Sequence, residues 1–390
     1  MRVLLAQNMR YLPSHGGANK SNRVMLEALA ARGHECVAVA PLAATRRPLS
    51  EPDFLAYLAG QGVTAERGDG AIVFTRAGVR VHVVTSGLPR YALKLAEGVK
   101  PDWTLVPSDD PGMLMLGLAQ RANPGRVVYL AHTLQQLPFG PRTFYPSVSG
   151  RRLIGRCAGV VSVSRAAADY LRAHGDLDSA LIHPDVYGPG PHPALGRPDG
   201  LVGLVNPCAY KGLPVLLALA DALPDTRFLA VAGWGTTPDD LAALAARPNI
   251  TVTDPVDDIT EILARLSVLL MPSLWDETFG YTAVEAMLHG VPVLASDVGG
   301  LGEAKLGVPH LLPVAPITAY TQREPGDPFP EPVVPPQDLG PWLAALRRLR
   351  DDRAHYEDLA DRGRAAAAAF VANLDGYALE RYLSALEPAC

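Results

Sequence analysis

A chain of 390 residues that is 48% hydrophobic and 19% charged has enough apolar material for two or three domains with ordinary cores, which excludes a disordered protein. The formal net charge of −5 and a pI near 6.1 leave no basic excess for a phosphate backbone, so no nucleic-acid partner is expected. No apolar run approaches the roughly 18 residues that span a bilayer, and Val3 to Ala6 is too short for a signal-peptide core, so a cytoplasmic protein without a transmembrane segment is expected.

The chain opens with strand 2–6, a long polar loop, a helix from about Asn19 to Arg32 closed by Gly33, and strand 35–40: a βαβ start. The loop before the helix carries His15, Gly16, Gly17 and Asn19, and paired glycines let backbone approach a phosphate closely. The G-x-G-x-x-G form of a dinucleotide site is absent, which argues against a nicotinamide-dependent oxidoreductase. A short helix is expected around Phe54–Leu58, then a hairpin of 71–75 and 79–85 split at Ala77-Gly78. Strand 103–106, helix 113–121, strands 127–131 and 160–163, and helix 166–174 continue the alternation, so the sheet should be mostly parallel.

Polar residues cluster where these strands end, the edge at which open α/β sheets bind ligands: Ser108-Asp109-Asp110, His132-Thr133 and Ser164-Arg165. One of Asp109 and Asp110 suits capping of the next helix, with Pro111 in its first turn; the other is free to meet a substrate. Neither this pair nor Asp257-Asp258 has a third ligand at metal spacing, so no metal and no resident cofactor are expected. Cys36, Cys157, Cys208 and Cys390 are scattered and read as reduced thiols.

Residues 188–200, GPGPHPALGRPDG, form the best linker, which places a first domain at 1–195 and a second at 196–374. The second repeats the alternation: strand 201–205, helix 212–222, strand 227–232 with the turn Gly233-Trp234-Gly235, helix 239–246, strand 250–253, helix 258–265 and strand 268–271. Residues 313–336 are proline-rich, include Tyr320, Arg323 and Phe329, and show no helix or strand period; so long an irregular loop suggests a cover over a site. Helices are expected at 339–350, 354–372 and 377–386.

The most informative stretch is 272–303, PSLWDETFGYTAVEAMLHGVPVLASDVGGLGE. Thr282 followed by Glu285 has capping-box form, Gly290 ends the helix, Val291–Ala295 suits a buried parallel strand, and Asp297-Val-Gly-Gly is a turn at its carboxyl end. The helix start, led by Phe279 and Gly280 into Tyr281 and Thr282, directs backbone N–H groups and the positive end of its dipole at an anion such as a diphosphate. A capping box would account for Glu285 and a surface loop for Glu277, so spacing alone leaves their roles open.

This stretch, with its E-x7-E spacing, resembles the signature of the retaining GT-B glycosyltransferases of family four. The resemblance covers most of the chain and is most specific at 203–212 and 272–303. It implies two Rossmann-like domains facing a cleft, a last helix that crosses back to the N-terminal domain near Gly376, and a nucleotide-diphosphate sugar as co-substrate. It implies that Glu277 holds donor-sugar hydroxyls, Glu285 the ribose, Lys211 and the Gly16-Gly17 loop the diphosphate, and His132 the sugar and reaction centre. One departure stands out: in NPCAYKG, Asn206 occupies the place of an arginine five residues before the lysine, so leaving-group charge falls to Lys211. His15, Asn19, Asp109 and Asp110 remain candidates for a small soluble acceptor. A GT-B epimerase or phosphorylase, or a catalytically weak binding protein, stays open as an alternative.

Overall fold

The computed structural model describes residues 1–43, 49–321 and 329–389, so Arg323 and Cys390 lie outside the described residues. The chain forms two compact units, 1–186 with 375–390, and 187–374. The division precedes the proline- and glycine-rich stretch at 188–200, which belongs to the second unit.

In chain order the first unit comprises β1 (Arg2–Ala6), α1 (Gly17–Ala31), β2 (Glu35–Pro41), α2 (Glu51–Gly60), β3 (Ala65–Gly68), β4 (Ala71–Arg76), β5 (Val79–Val84), α3 (Leu88–Val99), β6 (Trp103–Pro107), α4 (Leu114–Ala122), β7 (Val127–Ala131), α5 (Val148–Ile154), β8 (Gly159–Ser162), α6 (Arg165–Gly175) and β9 (Ala180–Leu181). Among the described residues these strands form one sheet in the order β3-β4-β5-β2-β1-β6-β7-β8-β9. Pairing is parallel from β5 to β9, and antiparallel for β3 with β4 and β4 with β5. Alternation across β1 explains the two cores. Val3 and Leu5 join Leu26, Leu29 and Phe54 on one face, while Leu4 and Ala6 join Leu116, Tyr129 and Leu134 on the other.

The C-terminal helix Ala378–Ala385 packs on this unit, with Leu379 and Leu383 in the first of those cores. Arg32 lies over the Tyr377 ring at 3.9 Å, and His34 Nε2 sits 3.0 Å from Glu380 Oε1. Gly159 leaves room for the Tyr382 ring, where a Cβ would strike its hydroxyl.

The second unit comprises β10 (Leu201–Val205), α7 (Leu213–Ala222), β11 (Phe228–Val231), α8 (Pro238–Ala245), β12 (Ile250–Thr253), α9 (Thr260–Leu263), β13 (Leu266–Met271), α10 (Tyr281–Leu288), β14 (Val293–Ser296), α11 (Leu301–Ala304), β15 (Leu311–Leu312), α12 (Gly340–Asp351) and α13 (Arg353–Ala372). Its described strands run β12-β11-β10-β13-β14-β15, all parallel. Both units are thus Rossmann-like α/β layers.

Six of these elements were not expected from sequence: α3, α5, α11, the exposed edge strand β3 and the two-residue strands β9 and β15. The expected helix over 258–265 contracts to the single turn of α9. Helix α10 begins at Tyr281, the onset expected from sequence, but without the expected capping box. Its N-cap is Gly280, left-handed at φ 113, with no side-chain cap, and Thr282 is the second helical residue. The physical reason is Leu301, whose Cδ2 lies 2.6 Å from where a Gly280 Cβ would stand, so a left-handed glycine, and no side-chain cap, makes the turn into the helix.

Candidate active site

In the second unit, three segments meet beyond the carboxyl ends of the adjacent strands β10, β13 and β14. The first runs from Asn206 through a short turn, Ala209–Lys211, to Gly212. Gly212 adopts φ 82 and lies so close to the Pro272 carbonyl that any side chain would collide with it. Leu274 N–H then donates to Tyr210 O at 2.9 Å, which ties this segment to the 272–280 loop. The third segment is the Gly299-Gly300 turn, with Gly300 N–H donating to Glu277 O at 2.7 Å. A Cβ on Gly300 would meet the Thr278 carbonyl, so glycine is required for the close approach.

These constraints bring Lys211 to Glu277. The Lys211 Nζ and Ser273 Oγ each lie 2.5 Å from Glu277 Oε1, and Trp275 Nε1 donates to the same oxygen at 3.1 Å. Oε2 accepts from none of the described residues. Burial alone would raise the Glu277 pKa, but the Lys211 charge and the three hydrogen bonds carry it below the ordinary carboxylate value. The carboxylate is therefore ionised, oriented, and left with one accepting oxygen. Glu285 is buried one turn into α10, behind the N–H groups of Tyr281 and Thr282. Phe279 anchors the loop, ring to ring with Tyr281 at 5.4 Å and Phe370 at 5.9 Å.

Asn206 does not simply replace an arginine. It is buried, left-handed at φ 62, and its Oδ1 accepts from Gly235 N–H at 2.8 Å. It thus braces the Gly233-Trp234-Gly235 turn, whose Gly233 has room only for the Asn206 side chain. Its Nδ2 is buried with no partner among the described residues.

An aromatic cluster that the sequence reading did not assemble borders the lysine. Trp275 lies 5.0 Å from Lys211 Nζ, 5.1 Å from Tyr210 and 5.9 Å from Trp234. Residues 319–321 pair with 331–333 through Thr321 N–H to Glu331 O and Val333 N–H to Ala319 O. That pairing lays Tyr320 against Tyr210 at 6.4 Å and Phe329 against Trp234 at 5.1 Å, and Tyr210 donates its hydroxyl to Pro330 O. Residues 319–321 and 329–333 therefore cover the aromatic side of this site within its own unit.

In the first unit, His132 follows β7 and is buried; its Nε2 lies 2.6 Å from Asn22 Oδ1, and burial pushes its pKa down to about 4. Gly16 is the N-cap of α1 and Gly17 its first residue. The Asn19 side chain is engaged by backbone: Oδ1 accepts from Gly16 N–H at 3.0 Å and Lys20 N–H at 3.1 Å, and Nδ2 donates to Arg10 O. His15 is exposed. Asp110 caps α4, accepting from Leu114 and Leu116 N–H, and also from Asn8 Nδ2. Asp109 Oδ2 accepts from Asn8 and Met9 N–H at 3.0 and 2.7 Å, while its buried Oδ1 has no partner among the described residues. Burial pushes the Asp109 pKa up to about 7. Both aspartates hold the loop after β1. No group of three His, Cys, Asp or Glu placed to hold a metal occurs among the described residues, and Cys36, Cys157 and Cys208 are free thiols.

Two Rossmann-like units with a charged pair and a helix N-terminus at the carboxyl edge of the second define a GT-B protein. Residues 15–186 match the profile described as Glycosyltransferase Family 4, and 200–318 that of Glycosyl transferases group 1. The chain belongs to this family of glycosyltransferases. It is 38% identical over 120 residues to a 2-deoxystreptamine glucosyltransferase of Streptomyces kanamyceticus, a match over 28% of this chain and 30% of the relative. It is 33% identical over 144 residues to a D-inositol 3-phosphate glycosyltransferase of Mycobacterium sp. (strain KMS), over 31% and 32% of the two chains. The chain thus spans about a third of the length of these curated relatives. Whole-chain likeness comes from solved structures. Sucrose-phosphate synthase from Thermosynechococcus elongatus has a TM-score of 0.67 at 18% identity, covering 98% of this chain and 97% of its own. Anabaena HepE in complex with UDP and glucose has a TM-score of 0.66 at 17% identity, with 99% of each chain covered. Both show the fold.

Proposed function

We propose that the protein is a retaining glycosyltransferase that moves a sugar from a nucleotide-diphosphate sugar to a small soluble acceptor. The observation that carries this reading is the Glu277 carboxylate, with three donors on Oε1 and none of the described residues on Oε2. Such a group can accept a sugar hydroxyl in a fixed direction without reorganising.

Lys211 supplies the positive charge for a departing diphosphate, aided by the N–H groups that open α10 and by Gly16-Gly17 at α1. Glu285 is assigned to the ribose. With Asn206 tied to Gly235, Lys211 is the cation of the NPCAYKG segment. Transfer proceeds through an oxocarbenium-like state with the leaving phosphate taking the acceptor proton on the same face, so no side chain acts as nucleophile. The acceptor is assigned to groups of the first unit: His15, Asn19 and the Asp109-Asp110 loop. The names of the two relatives, a 2-deoxystreptamine glucosyltransferase and a D-inositol 3-phosphate glycosyltransferase, each pair transfer with a small hydroxylated ring, which supports an acceptor of that size.

The test is incubation with UDP-, GDP-, ADP- and TDP-sugars, with and without small polyol acceptors, reading nucleoside diphosphate and glycosylated product. Acceptor-dependent product of retained configuration, unaffected by EDTA, is expected. Product without acceptor would replace this reading with an epimerase, product only with inorganic phosphate with a phosphorylase, and donor binding without turnover with a binding protein.

A further inference from the structure

The polarity of one hydrogen-bond chain in the first unit can be read from its fixed end. The Met9 carbonyl can only accept, so Gln7 turns its nitrogen toward it, with Nε2 at 2.7 Å. Gln7 Oε1 then faces α1 and accepts from Asn22 Nδ2 at 3.1 Å. Asn22 Oδ1 is left for His132, 2.6 Å from Nε2. An amide oxygen cannot donate, so the ring must carry its proton on Nε2, and Nδ1 must be a lone pair.

The chain is well protected. Gln7, Asn22 and His132 are 0%, 2% and 6% exposed, and the backbone N–H groups of His132 and Thr133 both donate to Ser108 Oγ, at 3.0 and 3.1 Å. Burial keeps the ring neutral at pH 7. His132 Nδ1 has no partner among the described residues. A neutral lone pair on a buried ring takes a hydroxyl proton; it offers nothing to a carboxylate or phosphate oxygen.

We propose that Gln7 and Asn22 are positioning residues that lock His132 in its Nε2–H tautomer, so that Nδ1 accepts a hydrogen bond from a hydroxyl of the substrate. The hydroxyl rests on the glycosyl-transfer reading; the tautomer does not.

The experiment uses the full chain with 15N-labelled histidine, His132 being assigned by the resonance lost in His132→Gln. Long-range 15N–1H spectra at pH 7 are expected to show a protonated Nε2 and an unprotonated Nδ1 in the wild type. Asn22→Ala should give a mixture of tautomers, and Asn22→Asp, which keeps an accepting oxygen, should retain the Nε2 proton. Turnover of Asn22→Ala with a nucleotide sugar should fall about tenfold, as for loss of one oriented hydrogen bond, with little change in KM for the nucleotide portion. A protonated Nδ1 in the wild type, or an unchanged tautomer in Asn22→Ala, would overturn the positioning role. A scrambled tautomer with unchanged turnover would overturn the hydroxyl contact. Absence of transfer by the wild type would count against the proposed reaction, while the spectra would still decide the tautomer.

Discussion

Replacing Lys211 by Met separates what the lysine does for stability from what it does for chemistry. The Lys211 side chain is 21% exposed and that of Glu277 10%, so the substitution leaves a nearly buried carboxylate without its counter-charge. Removing one partner of a buried pair costs about 3–5 kcal/mol. Here Ser273 and Trp275 still donate and the lysine is partly solvated, which brings the expected loss to about 2–3 kcal/mol. For a unit of this size that is a fall in melting temperature of roughly 4–12 °C. Turnover should drop by about 10²–10³, the scale of one lost electrostatic stabiliser of a developing anion. Adding Glu277→Gln removes the stranded charge, so calorimetry of Lys211→Met/Glu277→Gln should recover most of the stability while the rate stays low. Turnover of Lys211→Met within threefold of the wild type, or recovery of rate along with stability in the double variant, would refute the leaving-group role.

Lys305 is buried, with Nζ donating to Val293 O at 2.6 Å, and burial pushes its pKa down to about 7. Because its folded pKa lies below its unfolded one, the unfolded chain binds more protons above pH 7. Urea midpoints should therefore rise from pH 7 to 9, and Lys305→Met should flatten that rise; an equal slope in both proteins would contradict it. His82 and His132 are likewise pushed down to about 4 by burial, so stability should be lost as pH falls from about 6.5 toward 4, as the unfolded imidazoles take up protons first. Denaturation curves independent of pH across that window would be inconsistent with two buried neutral rings. Gly300→Ala sets a Cβ against the Thr278 carbonyl and displaces the Glu277 loop; transfer should fall by about tenfold or more, against a wild-type rate as the contrary result.

The helix α10 and strand β14 were legible because their signals are local: an apolar stripe, a glycine stop and a short apolar run, all in sequence order. The same kind of local signal also found the onset near Tyr281, but not how the helix is capped. Thr282 and Glu285 stand at capping-box spacing, yet the close approach of Leu301 to Gly280 decides the cap, and Leu301 comes from the later helix α11. Helix α3 carries a readable period in Leu88, Tyr91, Leu95 and Val99, which pack against the second core, and Pro89 in its first turn. Strand β3 was not readable, because AERG is a polar edge whose partner alone makes it a strand. The K-G pair could be found in sequence, but the reason for its glycine, the Pro272 carbonyl, could not. Tyr210, Trp234, Trp275, Tyr320 and Phe329 come from separate segments, so no spacing announces their cluster. Asp109 and Asp110 illustrate the limit of composition: adjacent carboxylates suggest a ligand, and three-dimensional packing assigns most of their oxygens to backbone N–H groups.

The most direct test of a nucleotide-sugar site is calorimetric titration of UDP, GDP, ADP and TDP into the wild type, Glu285→Ala and Glu277→Ala. The account predicts that one base is preferred, that Glu285→Ala weakens its binding, and that Glu277→Ala leaves free nucleotide affinity near the wild-type value while abolishing transfer from the corresponding sugar. Binding of none of the four, or equal loss of nucleotide affinity in both variants, would contradict it.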